Sequence, residues 1–255
     1  RHKFMGYQSA FMAIGGVFFV VGGGFLSDIN WRFPFGIYFI GLVLLPFVIL
    51  FLKEKKIEST QEELSIDIGK NMLVVYFLAF IYMLLFFILP TQIPFLLIEK
   101  FEASGKMAGT VIATAFFCNA LGAIAFSKLK KYLNFIAIYL IGITLMALGF
   151  SLVGVINHIY FFFITSPILG FAGGIMMTNA TAWMLSKTSH EKRVKSSGYF
   201  TSAIFLGQFL SPIVFHPFLD FLEIQDFFLY IGLSLFFVSF IAFVFLRFKT
   251  KIKQK

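Results

Sequence analysis

Three carboxamides, Asn119, Asn179 and Gln208, fall near the middle of three different charge-free apolar stretches, and a fourth, Gln92, lies between Pro90 and Pro94 in another. A carboxamide carried into hydrocarbon without a hydrogen-bond partner costs roughly 2–7 kcal/mol. Each is therefore expected to face the interior of a helix bundle or a wet cavity. Two chemistries fit. One is bonding between helices, worth on average about 0.6 kcal/mol per bond. The other is a shared polar cavity, and a contribution from each of three separate stretches raises its weight. Tyr82, Trp183 and Tyr199 are candidate aromatic walls, although Trp and Tyr near the ends of such stretches also serve as interfacial anchors.

The same stretches carry no Asp, Glu, Lys or Arg in their cores. A cavity that is polar but uncharged suits an amphipathic solute, neutral or cationic, better than a strong anion. Moving a proton across a membrane needs a titratable group in touch with the cavity. His216, beside Pro217, is of the residue type suited to carrying a proton near neutral pH but reads first as structural, and Asp28 with Arg32 brackets a turn and reads as fixing a loop. Any proton carrier is thus expected in helices preceding residue 1. Enzyme chemistry within a membrane needs clustered His, carboxylate or Ser–His sets at depth. Here His2, His158, His190 and His216 all lie at or near the ends of stretches. The single cysteine, Cys118, rules out an intrachain disulfide and a cysteine-based metal site. The reading is of a chain with no enzyme activity, cofactor or metal.

What must position these residues is a set of membrane-crossing helices. Of 255 residues, 59% are hydrophobic and 13% charged, against about 45–50% and about 25% in soluble domains. A crossing helix needs about 20 apolar residues. Bounded by charges, the spans read as Phe4–Ser27, Phe33–Leu52, Met72–Ile98, Met107–Ser127, Tyr132–Ile156, Ile159–Ser186, Ser196–Leu219 and Phe227–Leu246. The fifth and sixth come from one charge-free run too long for a single helix, divided at Asn157-His158.

Eight spans with the N-terminus in the cytoplasm put 18 of the 21 Lys and Arg residues inside and only Arg32, Lys100 and Lys106 outside. Lys and Arg, rather than net charge, set orientation, and the acidic residues divide evenly between the sides. The same distribution explains the net charge of +9 without nucleic acid. The basic residues are spread over five short segments facing the anionic inner leaflet, which makes the lipid bilayer the partner. Both ends of the chain are expected in the cytoplasm, and the protein in a bacterial inner or other plasma membrane.

The polar stretch 53–70 divides residues 1–52, with two helices, from residues 71–255, with six helices and a basic tail. Those six form two three-helix units of opposite orientation, the pattern of an inverted repeat in secondary transporters. With only two helices before the linker, and with Arg1 rather than Met at its start, the chain is read as a fragment whose first four helices are missing. Gly15, Gly16, Gly22, Gly23 and Gly24 mark the first span as a close-packing helix, either fixed or forming a moving gate between halves. Pro90 and Pro94 free backbone carbonyls and mark either a simple helix end or an outer gate with Gln92 facing the cavity.

Several stretches together carry a resemblance. They are Gly22-Gly23-Gly24-Phe25-Leu26 followed by Trp31-Arg32-Phe33-Pro34-Phe35; Leu89-Pro90-Thr91-Gln92-Ile93-Pro94-Phe95; Gly122 with Ser127-Lys128-Leu129-Lys130-Lys131; and Gly198 with Ala203 to Pro212. In order and spacing the chain resembles helices five to twelve of the major facilitator superfamily, in its bacterial efflux-permease branch. Phe18-Phe19-Val20 replaces the Gly-Pro pair that antiporters of that superfamily often carry, so the antiporter signature is partial. The resemblance implies an all-α twelve-helix fold, of which eight helices are present. It implies proton-coupled efflux of a small organic molecule by alternating access. It also places Gln92, Asn119, Asn179 and Gln208 on the helices that line the cavity. A membrane sensor or assembly protein of the same fold is the alternative, and an intramembrane enzyme the remote one.

Overall fold

The computed structural model describes residues 2–51, 70–189 and 192–252. The polar linker at 53–69 and His190 lie outside the described residues. Every described element is helical, as hydrocarbon requires of a chain that must satisfy its own backbone. The helices are α1 (His2–Ile29), α2 (Ile40–Phe51, preceded by a 3₁₀ turn at Phe33–Phe39), α3 (Lys70–Phe86), α4 (Ile88–Phe101), α5 (Gly105–Tyr132), α6 (Phe135–Val155), α7 (Phe162–Lys187), α8 (Arg193–Leu219) and α9 (Ile224–Ile252). Among the described residues, seven helices are long and apolar enough to cross a membrane, with α3 and α4 counted as one. Among the described residues of α1, Ile14–Ile29 is a further apolar helical stretch.

Local sequence sets the boundaries. Ser104 accepts from the Met107 N–H at 3.2 Å, and Asn134 from the Ala137 N–H at 2.8 Å. These are N-caps that start α5 and α6. The third span, read as one helix, is broken at Phe87. Pro90 has no N–H for the carbonyl four residues back, so the ladder fails one turn before it. Just beyond the break, the Phe87 carbonyl accepts both the Thr91 N–H at 3.3 Å and the Thr91 hydroxyl at 2.7 Å.

Three of the main helix pairs, α1 with α5, α6 with α7 and α6 with α9, run antiparallel, while α5 with α7 and α3 with α8 run parallel. The closest pairs are α1 with α5, α5 with α7, α7 with α6, α6 with α9, and α3 with α8. One end of the bundle gathers the start of α3, the α5–α6 turn and the α7–α8 connection. There Tyr76 and Ser196 share a hydrogen bond of 2.7 Å. That end holds Lys128, Lys130, Lys131, Lys187, Lys192, Arg193 and Lys195. The other end is tied by the edge-to-face contact of Phe101 with Phe162 at 5.4 Å and by the Lys100–Glu223 ion pair at 3.6 Å. The core is apolar and aromatic, centred on Tyr82, Phe150, Phe162 and Phe228. Among the described residues no charged side chain is buried.

Candidate functional site

The site is built where α5 crosses α7 at mid-length. α7 turns Gly170, Gly173 and Gly174 towards α5, and any side chain there would strike backbone: the Ala115 carbonyl at Gly170, the Asn119 carbonyl at Gly174. Gly122 of α5 answers from the other side, against the Phe171 carbonyl. The two backbones therefore approach as closely as small residues permit. Into this crossing α3 sends Tyr82, 1% exposed, whose hydroxyl donates to the Gly173 carbonyl at 3.0 Å. The Phe86 ring lies 5.7 Å from that of Tyr82 and covers Gly173. The Asn119 Nδ2 stands 3.0 Å from where a Cβ on Gly173 would be. Asn119 itself is only half-buried. One turn along α5, the Phe116 ring lies against Gly16 of α1. Tyr82 and Asn119 thus meet at mid-depth, beside the seat of α1.

The other carboxamides and aromatics go elsewhere. Asn179 is fully buried, and its Nδ2 donates to the Phe135 carbonyl of α6 at 3.0 Å. This is the interhelical-bond geometry rather than a cavity-facing one. Trp183 lies ten residues beyond Gly173, about 15 Å along a helix rising 1.5 Å per residue. It stacks parallel on Phe135 at 5.6 Å, at the basic end. Gln92 is buried on α4 at 4% exposure. Gln208 is half-buried on α8, next to Gly207, which seats against the Phe80 carbonyl and Leu84 N–H of α3. Tyr199 is 44% exposed, its ring 6.4 Å from Tyr76.

The glycines of α1 divide into two groups. Gly24 meets α5 backbone, with a Cβ there 2.7 Å from the Gly105 carbonyl and 3.2 Å from the Gly109 Cα; Gly16 meets the Phe116 ring. Gly15 and Gly22 have nothing within 4 Å, and Gly23 only Ile37 at 4.0 Å. Asp28, read as fixing a loop, does more: its Oδ2 accepts from the Lys106 N–H at 3.0 Å. A carboxylate at the end of α1 thereby caps the start of α5, where unpaired N–H groups and the helix dipole favour negative charge. His216 is exposed near the outer end of α8, between Pro212 and Pro217.

Sequence reasoning missed the α7 glycines and the Gly105–Gly109 pair. Their signal was present, since Gly170-x-x-Gly173-Gly174 and Gly105-x-x-x-Gly109 have the spacing that puts small residues on one helix face. Chemically, the arrangement offers a neutral, partly open polar patch at mid-depth and a capped joint at one end. No curated protein matches the chain. A family model described as the Major Facilitator Superfamily matches residues 75–255.

Proposed function

This chain belongs to the Major Facilitator Superfamily, and on that premise, which makes it a multi-pass membrane transporter of small molecules rather than an enzyme, we propose proton-coupled efflux of an amphipathic neutral or monocationic organic solute. The observation that carries this reading is the Tyr82–Asn119–Gly173 cluster. It lies midway along α5 and α7 and holds a half-buried carboxamide beside the buried rings of Tyr82 and Phe86. A strong anion would find no cation there, whereas aromatic faces attract a desolvated cation by about 2 kcal/mol or more. Asn119 acts as donor and acceptor to the solute, and Gln92 and Gln208 extend the polar lining from α4 and α8. Asn179 and Trp183 act instead as packing groups for α6. The gate is the α1–α5 joint, closed by Gly24 on Gly105 and Gly109 and by Asp28 on the start of α5. The basic end of the bundle faces the cytoplasm, and the proton is carried by neither Asp28 nor His216.

The test is flux in proteoliposomes containing the full-length protein, with a panel of neutral amphiphiles, aromatic monocations and dicarboxylates, driven by an imposed pH gradient. Asn119→Ala is expected to lower flux of the preferred solute about tenfold, the equivalent of about 1.4 kcal/mol. Asp28→Asn combined with His216→Gln is expected to leave the response to the pH gradient in place. Preference for dicarboxylates, or wild-type flux in Asn119→Ala, would refute the substrate reading, and lost coupling in the double variant would refute the placement of the proton carrier.

A further inference from the structure

At the basic end, the starts of α3 and α6 and the end of α7 enclose a cleft of about 540 Å³. Its chemistry is layered. Val74 and Ile136 form an apolar wall, exposed at 50% and 43%. Trp183, stacked on Phe135 with the rings 3° from parallel, forms an aromatic floor. Ser186 and the exposed Lys187 stand at the polar mouth. The Lys130 ammonium sits 4.3 Å above the Phe135 ring and donates to the Leu133 carbonyl at 3.2 Å. Both of its partners are neutral. The ion pair found among the described residues, Lys100–Glu223, is at the opposite end of the bundle, so no described carboxylate neutralises Lys130 or Lys187.

We propose that this cleft is a binding site for an anionic phospholipid of the inner leaflet. The lining offers a surface to each part of the molecule: Val74 and Ile136 to an acyl chain, the Trp183–Phe135 stack to the ester region, and Lys187, Ser186 and Lys130 to the phosphate. Tryptophan favours the headgroup level of a bilayer, and unpaired lysines near the surface draw anionic lipid. A soluble anion has no use for the apolar wall, and a zwitterionic headgroup brings its own cation to meet the lysines. The leaflet, though not the site, rests on the orientation proposed above.

Native mass spectrometry of the full-length protein in detergent reads the site without reference to leaflet or flux. The wild type is expected to retain phosphatidylglycerol over phosphatidylcholine. Lys187→Gln lowers that preference about fivefold, in line with an attraction of about 1 kcal/mol per lysine. Val74→Trp, which fills the cleft while keeping both lysines, removes bound lipid of either kind. Equal retention of the two lipids by the wild type, or an unchanged preference in Lys187→Gln, overturns the proposal. So does displacement by millimolar glycerol phosphate, which would mark a site for a free phosphate ester. A cysteine at Ser189 labelled from outside intact cells would overturn the leaflet and the orientation together, while the retention measurement stands on its own.

Discussion

Two interfaces on α5 use the same residue chemistry to different ends. Towards α7, Gly170, Gly174 and Gly122 bring backbone onto backbone, every one of them is buried, and Tyr82 from α3 locks the crossing with a buried hydrogen bond. Towards α1, Gly24 also meets the backbone of Gly105 and Gly109, though less tightly, a Cβ on the flanking Gly15 or Gly22 would meet nothing within 4 Å, and the adjoining bond, from Lys106 to Asp28, is exposed. A small-residue contact covered on all sides has no room to relax. One covered on a single side, with a polar tie at its end, can open by a rigid-body movement. Close approach alone therefore does not separate a fixed joint from a moving one; what surrounds the approach does. The first lies among α3, α5 and α7, and the second joins α1 to α5.

The sharpest way to break this comparison is to add one methyl group to each interface. Gly174→Ala drives a Cβ onto the Asn119 carbonyl, with the Ala123 nitrogen at 2.8 Å, all of it backbone. Overpacking of this kind costs about 1–3 kcal/mol or more, so a large fall in thermal stability in detergent is expected, with lost expression as the extreme case. Gly24→Ala meets the Gly105 carbonyl at 2.7 Å, but α1 is free to shift outward. Its expected effect is a small change in stability and a several-fold change in transport rate, as the joint no longer closes. If Gly24→Ala destabilised the protein as much as Gly174→Ala, the distinction between fixed and moving joints would fail. Gly22→Ala is the matched control, with nothing within 4 Å to meet, and is expected to change neither stability nor flux.

Much of the helical frame was legible because hydrocarbon leaves few choices. Charges bound the apolar runs, and the proline at 90 announced the break that falls at Phe87. The assignment of side chains to faces was not legible. Asn119 and Asn179 are the same residue type in equally apolar helices, yet one is half-buried beside Gly173 and the other is fully buried, with its Nδ2 on the Phe135 carbonyl and its Oδ1 without a partner. In a helix that is apolar all round, no amphipathic stripe says which face looks inward. Asp28 was out of reach for a different reason. Its partner is a backbone N–H 78 positions away, and a backbone group carries no sequence signature.

The smallest expected effect is also the most specific to the moving joint. Asp28→Ala removes the acceptor for the Lys106 N–H; Asp28→Asn keeps an oxygen there but drops the charge. Caps of this kind are worth about 0.5–2 kcal/mol, and the exposure of Asp28 places this one at the low end. Global stability should therefore hardly move in either variant. What should move is the separation between the end of α1 and the start of α5, measured between spin labels at Ile29 and Glu102. Asp28→Ala should broaden that distribution towards longer distances, and Asp28→Asn should fall between it and the wild type, because the helix dipole favours a full negative charge over a neutral oxygen. A distribution unchanged in Asp28→Ala would leave the glycine contact as the whole of the joint, and the carboxylate as an ordinary loop tie, which is how its spacing to Arg32 first reads.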